Sequence, residues 1–157
     1  MKIQRTTTCL AVAAVLGIPF ALAQVTPSKR SDSRRVINLP SRVAGAPYSS
    51  GILAGNTLYL AGTIGLDEKT QAPPAKFEDE VHLALDNLKA VLAQADMTMD
   101  DMVSVTVFCP DVAGHYKDFN VVYKTYFKKD MPARAFIGSG PLLFGAHFEV
   151  MGVAVKR

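Results

Sequence analysis

Cysteine is nearly absent from this chain: only Cys9 and Cys109 occur, too few for a disulfide framework or a cysteine-rich metal site. Tryptophan is missing, and the three histidines, His82, His115 and His147, stand far apart with no paired ligand spacing. No glycine-rich phosphate cradle and no G-x-S-x-G elbow occurs, so nucleotide-loop and serine-nucleophile chemistry has no local support. A surplus of one charge is lacking too, since 17 Lys and Arg face 14 Asp and Glu. Two of the basic residues, Lys2 and Arg5, fall in a segment read below as a cleaved leader; without them 15 face 14 and the net charge is +1. That balance argues against nucleic acid as a partner. What remains is 49% hydrophobic and 20% charged over 157 residues, the make-up of one ordinary globular domain.

The first 23 residues have the three parts of a secretory signal: basic Lys2 and Arg5, an uncharged apolar run, and Ala21-Leu22-Ala23 as a small-x-small cleavage site before Gln24. An uncleaved anchor is the other reading, but the apolar stretch Cys9 to Ala23 falls short of the ~20 residues a spanning helix needs. Pro19 also interrupts it. We therefore expect a signal peptide over 1–23, a flexible linker over 24–35, and one folded domain over 36–157. The mature protein is expected to be periplasmic or secreted, without membrane attachment. Cleavage leaves Cys109 alone, at the end of an apolar strand-like run, where it reads as a buried hydrophobe.

Periodicity in the remainder predicts an α+β domain. Residues 51–54 and 57–64 flank Gly55-Asn56 as a hairpin, with a further short strand near Ile37. Phe77, Val81, Leu85, Leu88 and Leu92 recur at helical spacing over 76–95, with Glu78, Asp79 and Glu80 in the first turn to meet the helix dipole. Residues 102–109 alternate as a strand, with Val103, Val105, Val107 and Cys109 on one face. A second amphipathic helix is expected over 115–129, a short strand over 134–138 and a last strand over 146–155. The order β-β-α-β-α-β-β gives a mixed sheet with two helices on one face. Apolar residues also fall on the second face of the strands, which suggests burial against further copies of the chain.

Two polar residues stand out in this apolar C-terminal third. Arg134 opens one strand and Glu149 sits inside the next, where hairpin neighbours face each other across a sheet. The plain reading is an ion pair or a solvent-facing glutamate. The functional one has Arg134 grip a carboxylate by its two-pronged fork while Glu149 holds a water.

Seven stretches decide how much weight that pair carries. They are Ala46 to Ser49 (APYS), Gly55 to Asp67 (GNTLYLAGTIGLD), Ala84 to Ala95 (ALDNLKAVLAQA), Val105 to Asp111 (VTVFCPD), Phe119 to Phe127 (FNVVYKTYF), Pro132 to Ile137 (PARAFI) and Gly145 to Val155 (GAHFEVMGVAV). In this order and spacing the chain, from Ile37 onward, resembles the Rid (reactive intermediate deaminase) family. The resemblance implies a chorismate-mutase-like α+β subunit, assembly as a homotrimer, and a pocket at each subunit interface. It implies hydrolysis of enamines and imines such as 2-aminoacrylate to a 2-oxo acid and ammonia, with no metal and no cofactor. By motif, Arg134 would bind the substrate carboxylate, Glu149 would orient the attacking water, and Tyr48, Gly62 and Asn120 would line the pocket.

The chain departs from the family pattern at four places. Ala61-Gly62-Thr63 stands where Ser-Gly-Gln is usual, Phe136 replaces a small residue, Leu143 replaces a loop proline, and Met151 replaces an acidic residue. Phe136 would narrow or grease the pocket and favour apolar side chains. The alternative reading is a non-catalytic trimeric module that binds a small carboxylate in the same cleft. Some family members have been assigned RNA cleavage, which near-neutral charge and an export signal disfavour here.

Overall fold

The computed structural model describes residues 33–157. The expected signal peptide and most of the linker lie outside these residues. Eight elements follow the expected order: β1 Arg34–Ile37, β2 Gly51–Ala54, β3 Thr57–Thr63, α1 Phe77–Ala93, β4 Met102–Cys109, α2 Val112–Tyr123, β5 Ala133–Gly138 and β6 Glu149–Val155. The first strand begins at Arg34, two residues ahead of the expected domain start. Six strands form one sheet in the order β1-β2-β3-β6-β4-β5. Only β4 and β5 run parallel, so the sheet is mixed.

Local chemistry accounts for the elements. Gly55 turns the β2–β3 hairpin at φ +62°, a backbone region that costs glycine nothing. In α1, Val81, Ala84, Leu85, Leu88, Val91 and Leu92 are buried at helical spacing against Leu58, Leu60, Val105, Val107 and Val150 of the sheet. Glu80 differs from expectation: it lies four residues before Ala84, on the buried stripe, and is fully enclosed.

Three further differences have physical causes. Val103 is 46% exposed, although alternation puts it with Val105 and Val107. The β4–β6 register shifts between Met102 and Ser104, and a bulge moves one residue to the other face. The second helix starts at Val112 rather than His115, because Asp111 Oδ1 accepts from Gly114 N at 2.9 Å and caps it. Gly114 belongs in that first turn: a Cβ there would overlap Asp111 Oδ2 and come within 3.0 Å of Cγ. The last strand joins the sheet only at Glu149, since residues 143–145 form a 3₁₀ turn with Phe144 at φ +59°.

Pairing register places Leu58, Leu60, Val105, Val107, Val150 and Ala154 under the helices. On the opposite face Val36, Ile52, Tyr59, Met151, Val153, Phe108 and Ile137 follow one another across the strands. Val36, Tyr59, Ile137 and Met151 among them are exposed. The sheet therefore carries the apolar second face read from the sequence.

Candidate functional site

The site residues fall into two groups. The first is built on β5 and α2. Arg134 pairs with Val105, so its side chain rises on the helix side. Tyr116, Asn120 and Tyr123 recur on α2 at the i, i+4, i+7 spacing that makes one face. The Arg134 Cζ lies 4.6 Å from the Tyr123 ring centroid, 5.5 Å from Phe136 and 5.7 Å from Tyr116. Such a cage attracts the cation through the ring quadrupoles but supplies no acceptor for its five donors. Among the described residues no ion pair reaches Arg134. Phe136 packs edge-on to Tyr116 and Phe119, with centroids 5.1 and 5.3 Å away. It therefore serves as a wall under the guanidinium. Tyr123 is buried with no hydrogen-bond partner for its hydroxyl among the described residues, and burial pushes its pKa up to about 12 against the opposing pull of Arg134.

The second group gathers around the end of β3. Its register with β6 slips between Leu60 and Thr63, and Gly62 lies in that bulge. Glu149 packs across it: a Cβ on Gly62 would overlap Oε1 and come within 2.9 Å of Cδ. Among the described residues the Glu149 carboxylate takes no hydrogen bond or ion pair. Gly62 also walls a cavity of about 250 Å³, shared with Tyr48, Ser50, Ala61, Thr63 and Asn87. Arg42, which sequence reasoning passed over, shapes its rim. The Arg42 guanidinium donates to Tyr48 O at 2.7 Å and to Ala46 O, and lies 5.8 Å from the Tyr48 ring.

One sequence expectation is corrected here. Arg134 and Glu149 are not on hairpin neighbours, because β4 runs between β5 and β6. Arg134 pairs with Val105 and Glu149 with Phe108 of that strand. Their backbones are thus about 10 Å apart across the sheet and about 10 Å along it. Val105 and Phe108 also point to opposite faces, so the chain holds the cation on the helix side and the carboxylate on the open side.

The remaining reactive side chains have structural partners. Cys109 is free and fully buried, and desolvation pushes its thiol pKa up, away from a reactive thiolate. His115 stacks on Phe77 at 4.6 Å and meets His147 edge-on at 5.2 Å. His147 Nδ1 lies 2.7 Å from Glu80 Oε2, and His82 Nδ1 lies 2.8 Å from the Tyr126 hydroxyl. Among the described residues no group of three or more His, Cys, Asp and Glu side chains is placed to hold a metal ion.

By its fold the chain is a single-domain α+β protein with a mixed sheet, a class shared by solved structures. The yjgF gene product of E. coli matches with a TM-score of 0.72 at 28% identity, over 78% of this chain and 99% of that one. TdcF of E. coli with bound serine matches with a TM-score of 0.70 at 28% identity, over 78% and 100%. The family model described as endoribonuclease L-PSP matches residues 40–156, and the chain belongs to this family, the one containing the Rid proteins. Among curated relatives, a RutC family protein of Pyrococcus horikoshii is 34% identical over 71% of this chain and 88% of its own length. The 2-iminobutanoate/2-iminopropanoate deaminase of Homo sapiens is 33% identical over 78% and 90%.

Proposed function

We propose that the protein hydrolyses enamine and imine intermediates of the 2-aminoacrylate type to 2-oxo acids and ammonia, in a pocket completed between two copies of the chain. The observation that carries this reading is the Arg134 guanidinium, fixed among three aromatic rings and left without an acceptor. A substrate carboxylate supplies the missing acceptor in two-pronged geometry. The deaminase relatives and TdcF with its bound serine support a small amino-acid-derived ligand.

The enamine first tautomerises to the imine. Water held by Glu149 then adds to the C=N carbon as the carboxylate takes the water proton and the π pair moves to nitrogen. The nitrogen takes up two protons, one returned by Glu149 and one from solvent, and the C–N bond breaks with its electron pair leaving on ammonia. The hydroxyl proton is lost and the 2-oxo acid remains. Fixing the carboxylate and water replaces a bimolecular encounter in solution with an oriented one. Asn120 and Tyr48 line the two halves, and Phe136 braces the carboxylate-binding half.

The apolar open face supports assembly. A second copy seated there removes Val36, Tyr59 and Met151 from water and closes the distance between the Arg134 half and the Glu149 half. We read the assembly as a homotrimer. The leader at 1–23 makes this an exported deaminase. Cell fractionation tests that point: a mature chain beginning at Gln24 in the periplasm or medium supports it, and an intact Met1 form in the cytosol overturns it.

The decisive assay generates imines with an amino-acid oxidase and traps the survivors with semicarbazide. Faster imine loss with the protein, abolished in Arg134→Ala, supports the proposal. Unchanged loss beside tight binding of a 2-oxo acid would leave the carboxylate-binding module in its place. RNA cleavage that survives in both Arg134→Ala and Glu149→Gln would point to the activity in the family's description.

A further inference from the structure

Glu80 is the one charged residue fully buried among the described residues, and its partners lie beside Glu149 in the chain. Its Oε1 accepts from His147 N at 2.7 Å and from Phe148 N at 3.3 Å. Its Oε2 meets His147 Nδ1 at 2.7 Å. A carboxylate only accepts, so Nδ1 carries the hydrogen and the tautomer of His147 is set. Because β6 joins the sheet only at Glu149, the two preceding N–H groups find their acceptor in a side chain rather than a strand.

The surroundings are built around this contact. Gly65 approaches the first turn of α1 so closely that a Cβ would overlap Glu80 O and sit 2.8 Å from its carbonyl carbon. The His147 ring is held edge-on by His115 at 5.2 Å and by Phe77 at 6.1 Å. Burying a carboxylate is costly unless it is fully bonded, and here three donors meet it. An apolar residue would fill the same space but leave the His147 and Phe148 N–H groups without an acceptor, so the carboxylate holds the backbone that leads into Glu149.

We infer that Glu80, with His147, is a positioning pair that fixes the start of β6 and so aims the Glu149 carboxylate across Gly62. The inference rests on the proposed role of Glu149. Arg134 belongs to the other half of the site, so loss of the pair slows the chemical step and leaves carboxylate binding alone.

The test measures imine hydrolysis and thermal unfolding for the purified protein and four variants. In Glu80→Gln the amide oxygen still accepts from His147 N and Phe148 N, so kcat stays within about threefold of native. In Glu80→Leu, kcat falls about tenfold or more while KM stays within about twofold, the split of an interaction that acts only on the reacting step. In His147→Leu the backbone contacts survive and kcat falls about threefold. A folded Glu80→Leu protein with native kcat overturns the inference. If Glu80→Leu fails to unfold cooperatively, His147→Leu decides, and native kcat there overturns it. Glu149→Gln separates the two levels. Native kcat in that variant sinks the proposed role of Glu149, whereas a slow Glu149→Gln beside a native-rate Glu80→Leu sinks the positioning pair alone.

Discussion

Gly62 shows how much a single missing methyl group decides. The Glu149 carboxylate occupies the space a Cβ would take, so Gly62→Ala must push it aside or distort the bulge. We expect this variant to cost about 1–3 kcal/mol of stability. On the proposed role of Glu149, its kcat in imine hydrolysis should fall at least about tenfold, since the carboxylate is displaced. Thermal unfolding beside the imine-trapping assay checks both, and a native kcat would remove Glu149 from the reaction. Tyr123 carries a second prediction. Its pKa stands at about 12, above the tyrosine value of 10.0 in the unfolded chain, because burial disfavours the phenolate. The folded state therefore keeps a proton that the unfolded state gives up. This contribution is whole below pH ~10 and is lost as pH rises toward the folded value, with stability falling by about 2 kcal/mol. The fall should be shallower in Tyr123→Phe, measured by denaturant unfolding between pH 8 and pH 12. Cys109 adds to the slope in the same direction, since burial raises its thiol pKa as well.

At the scale of elements, the second helix separates what local sequence says from what it hides. Pro110 and Gly114 both read as breakers, so a helix beginning at His115 is the natural expectation. The Asp111 side chain takes over the amide of Gly114 and starts the helix three residues earlier. Asp111→Ala should cost about 1 kcal/mol, read as a lowered denaturation midpoint with unchanged slope. The first helix was legible almost residue for residue, because its apolar stripe is a property of the chain itself. Only Glu80 broke the pattern: its spacing from Ala84 put it inward, while its charge argued for the surface. The aromatic cage was half legible in the same way. The spacing of Tyr116, Asn120 and Tyr123 was on view, but nothing local indicated that Arg134 would lie over the two tyrosine rings.

At the scale of the whole molecule, the chain carries Arg134 and Glu149 on opposite faces of one sheet. A site shared between copies predicts complementation. Arg134→Ala and Glu149→Gln homo-oligomers should each be inactive, while mixed oligomers from co-expressed chains regain part of the native rate. A site contained in one subunit would give no recovery in any mixture. Tyr59→Glu, on the exposed apolar face, should shift the protein toward monomer in size-exclusion chromatography and abolish activity with both half-sites intact.

Periodicity and turn residues were enough to read the element order, the two helices on one face and the apolar second face from the chain alone, and the resemblance of seven quoted stretches carried the family. These features repeat over a few residues, and a helix stripe or strand alternation needs no knowledge of what lies across from it. Strand order was different. The chain passes from β5 to β6 through residues 139–148, and strands consecutive in sequence read as a hairpin, yet β4 takes the place between them. That choice belongs to long-range packing: β4 gains partners on both sides, one parallel and one antiparallel, and no local signal records it. Only the tertiary structure therefore put Arg134 and Glu149 on opposite faces, laid Glu149 against Gly62, and turned Glu80 inward to hold the two residues that precede it.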